Sequence, residues 1–296
     1  MLNFTPITID AADTLAEFAA GCHTRSCDYT PGNLIMWSNY MHYRYAVHRG
    51  TLFIECLSQL DLKSPAFLPP IGQMPLEESI ATLQEHCKET CCALRLTAVP
   101  EEFFPAIKAL LPQHTTQELD GWADYIHSAE DIATLQGKAL SKRRNRKKKF
   151  TTEYPGYEYS RETAANHEAI KEYIQGKGCN EEHMRCYEVR QSIATVENLH
   201  KYPQPAATIK IGGKIVAFTL GEVWGDTLYI HIEKADRDYP GLNETLCSEF
   251  AADILREYPQ VTLINREEDL GDPGLRQAKR AYSPIYLINR YEIIPQ

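Results

Sequence analysis

The sequence predicts a mixed α/β fold made of two similar halves. Three observations support this: strand and helix patterns alternate along the 296 residues, the order of elements in the second half recurs in the first, and the composition is that of a globular protein. Hydrophobic residues make up 43% and charged residues 24%, which excludes disordered and collagen-like classes. A chain of this length is expected to form about two domains.

The elements are clearest in the second half. After two leading helices, three apolar strands are joined by turns at Gly212-Gly213 and Trp224-Gly225-Asp226. A helix, a short strand, a second helix and a last strand follow, with Asp272 suited to the N-cap and Pro273 to the first turn of the second helix. The predicted segments are helices near 162–174 and 181–196, then 206–211, 214–223, 227–234, 242–255, 261–264, 272–281 and 285–294.

The first half repeats this order. A helix near 11–20 precedes segments predicted at 33–37, 42–47, 51–56, 75–87, 92–97, 100–110 and 117–126, in the order β-β-β-α-β-α-β. The last of these segments is interrupted by Gly121. An internal duplication explains the repetition. A three-stranded meander followed by α-β-α-β is the layout of the GNAT acyltransferase fold. We therefore expect two tandem GNAT-like domains, residues 1–130 and 131–296, with a basic helix at residues 138–150 before the second.

A concentrated basic segment precedes the second half. Seven of the eight residues 142–149 are Lys or Arg, although the whole chain carries a net charge of −9. Like charges repel along a helix, so we expect an anionic partner: tRNA, the phosphates of coenzyme A, or an anionic lipid head group. Pairing with acidic side chains of the same protein is the alternative. The predicted phosphate- or tRNA-binding residues are Lys142, Arg143, Arg144, Asn145, Arg146 and Lys149.

Several polar side chains of the second half are candidates for a site. On the third strand, His231 and Glu233 are predicted to share a face, and either could take a proton from an attacking amine. An outward polar face of that strand is the alternative. Lys279 and Tyr282 are one helical turn apart, and a tyrosine there could donate a proton to a leaving group.

A polar loop follows the short fourth strand of this half. It contains Asn265, Arg266, Glu267, Glu268 and Asp269, and α/β proteins place ligands at the carboxyl ends of strands. Adjacent carboxylates repel one another, so one of them could hold a substrate amine. A polar surface turn is the alternative for this loop.

The helix after the three strands lacks the glycine-rich loop that usually binds the pyrophosphate of acetyl-CoA. Its start reads Asp238-Tyr239-Pro240-Gly241-Leu242-Asn243-Glu244, where proline removes a donor and two carboxylates repel phosphate. The corresponding helix of the first half begins Pro75-Leu76-Glu77-Glu78, which is again acidic. Both starts argue against ordinary acetyl-CoA binding.

Three stretches of the second half resemble a known family. They are 137–150, with its Arg144-Asn145 pair; 229–236, followed by Tyr239 and Gly241; and 264–276, followed by Lys279, Tyr282 and Pro284. Residues 67–72 of the first half match as well. The chain resembles the bacterial family built on the C-terminal domain of phosphatidylglycerol lysyltransferase (DUF2156). The resemblance implies a double-GNAT fold and aminoacyl transfer from charged tRNA.

The resemblance also implies roles for the candidate residues. The basic residues of 142–149 would contact phosphates, and Glu233, Asp269 or Glu267 would orient the aminoacyl amine or the acceptor. Lys279 and Tyr282 would stabilise the oxyanion or the leaving group. The catalytic candidates are Glu233, Asp269, Lys279 and Tyr282, and the substrate-binding candidates are His231, Asn265, Arg266, Glu267 and Arg276.

The expected function is therefore acyl or aminoacyl transfer from charged tRNA to a hydroxyl or amine of a small acceptor. The alternatives are an acyl-CoA-dependent N-acyltransferase and a non-catalytic GNAT relic that binds RNA or protein. No transmembrane segment or signal peptide is recognisable, which favours the cytoplasm. The nine cysteines are expected to be reduced, and the spacing of these cysteines predicts no metal site. No tightly bound cofactor is expected.

Overall fold

The computed structural model describes residues 1–177 and 184–296 and confirms the mixed α/β class. The helices are α1 (Ala12–Ala20), α2 (Pro31–Met36), α3 (Ser38–Met41), α4 (Leu76–Glu89), α5 (Phe104–Leu110), α6 (Ala129–Thr134), α7 (Ser141–Glu153), α8 (His167–Gln175), α9 (Met184–Asn198), α10 (Leu242–Glu257) and α11 (Pro273–Arg280). The strands are β1 (Thr5–Pro6), β2 (Arg44–His48), β3 (Thr51–Leu57), β4 (Pro65–Phe67), β5 (Ile71–Gly72), β6 (Leu96–Pro100), β7 (His114–Glu118), β8 (Asp124–Ser128), β9 (Glu158–Arg161), β10 (Ala206–Ile211), β11 (Lys214–Trp224), β12 (Thr227–Ala235), β13 (Leu263–Asn265), β14 (Tyr286–Ile288) and β15 (Arg290–Pro295).

The strands form two mixed sheets. The first has the order β1-β2-β3-β4-β6-β15-β7, with β5 paired to β3, and the second has the order β14-β8-β13-β12-β11-β10-β9. The last strand of the chain, β15, thus lies between β6 and β7 of the first sheet, antiparallel to both. In the second sheet, β8 from the first half of the sequence runs antiparallel to β13. The two halves of the sequence have exchanged strands.

Two compact units contain these sheets. The first consists of Met1–Asp124, Glu268–Asp272 and Leu287–Gln296, and the second of Tyr125–Glu267 and Pro273–Tyr286. The predicted domain boundary between residues 130 and 131 does not include this exchange of strands. The division of the chain into domains 1–130 and 131–296 stays a prediction. Part of the predicted helix at 181–196, residues 181–183, lies outside the described residues.

Two local predictions are wrong and one is confirmed. Residues 33–37 are not a strand but largely part of α2, because Pro31 occupies its first turn and the Thr30 side chain accepts a hydrogen bond from the Asn33 N–H. The strand region predicted at 117–126 with an interruption at Gly121 is confirmed, since β7 and β8 lie on either side of this glycine, which has a φ of 89°. The final strand at 285–294 is likewise two strands, β14 and β15, in different sheets.

A β-bulge interrupts the pairing of β11 with β12. Leu220 pairs with Ile232 and Gly221 with Ile230, so His231 has no partner on β11. Gly221 is needed there because a Cβ atom at that position would lie 2.4 Å from the Tyr229 carbonyl oxygen. The extra residue shifts the alternation of side chains along β12. The prediction that His231 and Glu233 share a face is therefore wrong: Glu233 lines a cavity together with Leu228 and Ile230.

Helix α10 is the main helix of the second unit. Its residues Leu242, Leu246, Phe250 and Ile254 recur every four positions and are almost completely buried. Helix α7 packs on its start, where the ideal Cβ position of Gly241 would lie 2.2 Å from the Arg146 carbonyl oxygen. Among the described residues, no helix has both the length and the apolar character needed to cross a bilayer.

The cysteines are mostly free thiols. Seven of them are unbonded: Cys22, Cys27, Cys56, Cys87, Cys91, Cys92 and Cys247. Cys186 is disulfide-bonded, so the expectation of reduced thiols is wrong for that residue.

Candidate functional site

The Glu233 cluster lies in the second unit and consists of Glu233, Asn243, Cys247, Arg266 and Tyr282. Glu233 comes from β12, Asn243 and Cys247 are one turn apart on α10, Arg266 follows β13, and Tyr282 follows α11. Glu233 Oε1 accepts hydrogen bonds from Arg266 Nη2 at 2.6 Å and Asn243 Nδ2 at 3.0 Å. The Cys247 thiol donates to Glu233 Oε2 at 2.9 Å. Three donors, two from α10 and one from the segment after β13, thus converge on one carboxylate.

Tyr282 and Lys279 complete the surroundings of Arg266. The guanidinium carbon of Arg266 lies 4.5 Å from the centre of the Tyr282 ring, a cation–π contact, and the Tyr282 hydroxyl lies 3.7 Å from Cys247 Sγ. Lys279 Nζ donates to the Arg266 carbonyl oxygen at 2.5 Å. The structure therefore brings together four of the predicted site residues: Glu233, Arg266, Lys279 and Tyr282.

Burial and Glu233 fix the protonation states of this cluster. Burial raises the pKa of Cys247 and of Tyr282 well above their ordinary values, and the Glu233 carboxylate raises both further. Burial lowers the pKa of Arg266, but Glu233, Cys247 and Tyr282 together more than offset that effect and the net shift is upward. At neutral pH the cluster holds a protonated thiol, a protonated phenol and a charged guanidinium.

A small cavity of about 10 Å³ adjoins the cluster, which is room for about one water molecule. Its walls are mainly apolar, from Ile132, Leu228, Ile230, Phe250, Ala251 and Ile264, and Glu233, Cys247 and Arg266 supply its polar atoms. The Arg266 side chain is only 9% exposed. Its Nη1 atom is buried and has no hydrogen-bond partner. The cavity therefore contains one buried donor without an acceptor.

His231 forms a separate buried network with two carboxylates. Its Nδ1 lies 2.7 Å from Glu267 Oε1 and its Nε2 lies 3.1 Å from Glu222 Oε2, while the Tyr202 hydroxyl donates to the other oxygen of Glu222. Burial lowers the pKa of His231, but the two carboxylates more than offset it and raise the pKa to about 10. His231 is therefore a positively charged link between Glu222 and Glu267 at neutral pH.

The remaining candidates of the polar loop have local partners. The buried Asn265 accepts a hydrogen bond from the Glu267 N–H through Oδ1 at 2.7 Å, and Asp269 accepts one from the Gly271 N–H at 2.9 Å. Asp269 belongs to the first unit, whereas Glu233 belongs to the second. Arg276 lies half-buried on α11. The structure does not join these three side chains to the Glu233 cluster by a described hydrogen bond.

The basic helix α7 has two faces with different surroundings. Arg143 Nη1 and Arg146 Nε lie 2.8 and 3.0 Å from Glu244 Oε1, and Lys147 Nζ lies 2.9 Å from Glu249 Oε1. Arg144 donates to the Leu135 carbonyl oxygen. The opposite face is exposed and carries Lys142, Asn145, Lys148 and Lys149, and the last three line an open groove. Pairing with acidic side chains of the same protein thus accounts for one face, and an anionic partner for the exposed face stays a prediction.

The ion pairs between α7 and Glu244 block access to the first turn of α10. Glu244, in that turn, is 2% exposed and holds Arg143 and Arg146. Gly241 caps the helix with a φ of 94°, directly against the backbone of Arg146. Helix α7 and a buried carboxylate therefore occupy the place where an anion would bind the N-terminus of α10.

A buried ionic network in the first unit surrounds Arg290. Arg290 Nη2 lies 2.6 Å from Asp124 Oδ1, 3.1 Å from Cys27 Sγ and 3.9 Å from Glu268 Oε2, while Nη1 lies 2.8 Å from Asp28 Oδ2. The thiol and carboxylates of Cys27, Asp124 and Glu268 are close enough together to ligate a metal. The Arg290 guanidinium lies among these side chains and compensates their negative charge. Ion pairs with Arg290 therefore account for this arrangement of side chains.

Sequence reasoning did not find several residues of these networks. Asn243 and Cys247 were overlooked, although polar side chains one turn apart beside the apolar stripe of α10 are a usable signal. Glu222 and Tyr202 lie outside any motif, and their contact with His231 depends on tertiary pairing alone. Glu244 was considered only as a repellent of phosphate, whereas it also holds two arginines.

The comparisons with known proteins agree with this architecture. The family model described as "Phosphatidylglycerol lysyltransferase, C-terminal" matches residues 19–294. No curated protein matches the sequence significantly. A conserved protein of unknown function from Bacteroides thetaiotaomicron VPI-5482 is 29% identical, with a TM-score of 0.91 and 100% of both chains covered.

Two further solved structures share the fold at low identity. L-PGS from Bacillus licheniformis is 16% identical with a TM-score of 0.60, covering 86% of this chain and 84% of that one. FemX is 10% identical with a TM-score of 0.62, covering 99% of this chain and 97% of that one. These similarities confirm the predicted tandem GNAT-like fold.

Proposed function

The chain belongs to the phosphatidylglycerol lysyltransferase C-terminal family, and on that premise we propose that it transfers an aminoacyl group from charged tRNA to an amine or hydroxyl of a small acceptor. Family and fold together point to a GNAT-like aminoacyl transferase. The donor and the acceptor are our proposal.

The closed start of α10 is the observation that carries the choice of donor. An acyl-CoA donor needs a helix N-terminus with free N–H groups for its pyrophosphate. Here Glu244 lies buried in that turn, and a Cβ at Gly241 would already collide with Arg146. A pyrophosphate would have to displace α7 and approach a buried carboxylate. A donor that binds elsewhere through its phosphates avoids both costs.

The exposed face of α7 offers such a binding surface. The ammonium groups of Lys142, Lys148 and Lys149 project from it and make no hydrogen bond or ion pair in the described part of the chain. Lysines on a regular helix suit the spaced phosphates of an RNA backbone, which they attract as point charges. The surface thus favours a polyanionic donor.

The Glu233 cluster supplies groups suited to the transfer step. A carboxylate has about four acceptor positions, and three donors fill three of them, so Glu233 Oε2 can still accept a proton from an attacking amine. As the amine nitrogen bonds to the ester carbonyl carbon, the bond from that carbon to the ribose oxygen of the tRNA breaks. The departing oxygen takes a proton, for which the Tyr282 phenol and the Lys279 ammonium are the nearby donors.

The donor is tested by tRNA binding across a salt series. We expect salt-sensitive binding by the unmodified chain and weaker binding by the triple variant Lys142→Ala, Lys148→Ala, Lys149→Ala. The slope of log affinity against log salt should become shallower by about 2 units, since each lost phosphate contact contributes about 0.7 to 0.9. Arg143 and Arg146 are unsuitable for this test, because their replacement leaves Glu244 buried and unpaired.

The matched control removes the same charge from exposed lysines elsewhere. The variant Lys63→Ala, Lys88→Ala, Lys214→Ala should bind tRNA as the unmodified chain does. Transfer of a radiolabelled amino acid from charged tRNA to small amines measures the activity itself. Salt-insensitive binding of acetyl-CoA without tRNA binding would overturn the proposed donor, and binding of neither would leave α7 as an internal ion-pairing helix.

A further inference from the structure

Three of the free thiols lie close together in the sequence at the carboxyl end of α4. They are Cys87, which is buried, Cys91, which is exposed, and Cys92, which is half-buried. The helix ends at Glu89, and the chain then continues towards β6. The proposed aminoacyl transfer uses none of these cysteines, so their arrangement needs an explanation of its own.

The end of α4 has the hydrogen bonds of a Schellman motif. The Cys92 N–H donates to the Cys87 carbonyl oxygen at 2.9 Å, and the Cys91 N–H donates to the Lys88 carbonyl oxygen at 3.4 Å. Cys91 has a φ of 54°. In this motif the left-handed residue is usually glycine, and the side chains at the two ends of the longer hydrogen bond commonly contact each other. The motif therefore brings Cys87 and Cys92 together.

The side chains of Cys87 and Cys92 do meet. The two thiols are hydrogen-bonded to each other, and Cys92 packs against the hydrophobic cluster that contains Cys87, Leu83 and Leu94. Burial raises the pKa of Cys87 to about 12, and the bond with Cys92 adds to that rise. Cys87 therefore keeps its proton at neutral pH. Cys92 is the more accessible of the two, and its Sγ lies 3.4 Å from the Thr90 hydroxyl oxygen.

This geometry is suited to a disulfide. A disulfide requires Cα atoms about 4.4 to 6.8 Å apart and side chains directed towards each other. The backbone hydrogen bond holds the main chains of Cys87 and Cys92 together, and the contact between the thiols shows that the side chains are directed towards each other. Side-chain rotation can then bring the two sulfur atoms to bonding distance while the hydrogen bonds of the motif stay in place.

We propose that Cys87 and Cys92 form a reversible dithiol–disulfide site that is oxidised by small-molecule disulfides. The Cys92 thiolate attacks one sulfur of such a molecule, glutathione disulfide being the type, and one glutathione thiolate leaves. The Cys87 thiol then loses its proton, and its sulfur attacks Cys92 Sγ and releases the second glutathione. Two protein thiols are oxidised, one disulfide is reduced to two thiols, and both protons pass to the glutathione thiolates.

Cys91 provides the matched control, because it lies beside this pair and is not part of it. It occupies the left-handed position that glycine usually takes at the end of a helix. The variant Cys91→Gly therefore keeps the Schellman motif and removes only the exposed thiol.

Trypsin makes the pair directly measurable. Lys88 lies between the two cysteines, so cleavage after it separates the peptide with Cys87 from the peptide 89–95, which contains Cys91 and Cys92. The full chain is incubated at mildly alkaline pH in mixtures of reduced and oxidised glutathione. Its free thiols are then blocked with N-ethylmaleimide and the digest is analysed by mass spectrometry. We expect the two peptides to be linked and to separate on reduction.

Three variants identify the bonded sulfur atoms. Cys91→Gly should give the linked peptides as the unmodified chain does, whereas Cys92→Ser and Cys87→Ala should each lower their yield at least tenfold. Linked peptides that persist in Cys92→Ser, or that disappear in Cys91→Gly, would assign the bond to Cys91 and overturn the proposed pair.

The dependence on glutathione separates the disulfide from a mixed disulfide on one cysteine. The proposed reaction releases two glutathione molecules for each glutathione disulfide consumed, so at constant glutathione disulfide the ratio of linked to free peptides should fall with the square of the glutathione concentration. A mixed disulfide would fall with its first power. Mixed disulfides alone, or no oxidation, would overturn the proposed site. None of these results depends on aminoacyl transfer.

Discussion

Buried carboxylates are neutralised in two different ways in the second unit. Glu233 has a permanent cation, Arg266, at 2.6 Å, whereas Glu222 and Glu267 share His231, whose charge depends on a bound proton. Arginine stays charged at any pH at which proteins fold, but histidine does not. The positive charge that neutralises Glu233 is therefore independent of pH, whereas the positive charge shared by Glu222 and Glu267 is not.

His231 should make stability depend on alkaline pH. Its pKa is raised from 6.5 to about 10, so its contribution to stability is fully present below about 6.5 and is lost as the pH rises through about 10. We expect the free energy of unfolding to fall between pH 7 and pH 10. The variant His231→Gln should be less stable at pH 7 and show a flatter decline, as measured by urea unfolding at several pH values.

The control for this measurement is His48→Gln, at an exposed position of β2. It should keep both the stability and the pH dependence of the unmodified chain. A His231→Gln variant with the same slope as the unmodified chain would show that other groups cause the decline.

At the scale of single residues, the sequence was informative where a polar side chain stood out from its surroundings. Glu233, Arg266, Lys279 and Tyr282 were all candidates before the structure, and they come together. Cys247 was missed because a thiol in an apolar helix face reads as a small hydrophobic residue. Its hydrogen bond to Glu233 depends on how α10 is rotated above β12, which no local pattern contains.

At the scale of elements, the bulge in β12 decides which side chains meet. Alternation along a single strand assigns His231 and Glu233 to one face, but the face depends on the register between β11 and β12. One unpaired residue, His231, reverses the alternation beyond it. The sequence contained a trace of this in Gly221, an isolated glycine inside an apolar strand, which often marks a bulge.

Replacing Gly221 tests the role of the bulge. The variant Gly221→Ala would place a methyl group 2.4 Å from the Tyr229 carbonyl oxygen, so backbone must move. We expect a loss of at least about 2 kcal/mol in the free energy of unfolding, in the range of severe point mutations. The variant should also transfer the radiolabelled amino acid from charged tRNA more slowly, because Glu233 depends on the bulge for its orientation.

The control is Gly156→Ala, where a Cβ atom meets nothing within 4 Å. It should change the free energy of unfolding by less than about 0.5 kcal/mol. A Gly221→Ala protein as stable as this control would contradict the structural role assigned to the bulge.

At the scale of the whole molecule, the repeated order of elements was enough to predict the double-GNAT fold, but not the exchange of strands. Local periodicity identifies strands and says little about which sheet receives them. The sequence predicts the interruption of 117–126 at Gly121, but not that β7 and β8 on either side of it belong to different sheets. It predicts one final strand at 285–294, whereas β14 and β15 are separate strands, again in different sheets. Pairing over long sequence separations is decided by tertiary structure, which the residue pattern leaves open.

The exchange predicts that neither sequence half folds alone. A fragment of residues 1–130 lacks β15 and leaves β6 and β7 unpaired on one side, while a fragment of residues 131–296 lacks β8. We expect each fragment to lack a cooperative thermal transition by circular dichroism and to aggregate, whereas the full chain unfolds cooperatively. Two independently folded fragments would contradict this expectation. A mixture of both fragments that regains structure would agree with it.

The position of β15 also determines when the first sheet can be completed during synthesis. Its neighbour β7 ends at residue 118, but β15 begins only at residue 290. At 5 to 20 residues per second, a ribosome needs roughly 10 to 30 seconds to make the intervening chain. Throughout that interval β6 and β7 of the nascent protein lack the strand that pairs with both of them. Asp28 and Asp124 likewise lack Arg290, the arginine that neutralises them. The last strand to leave the ribosome is thus the one that closes the first sheet, so slow elongation in the second half prolongs the period in which the chain is open to aggregation.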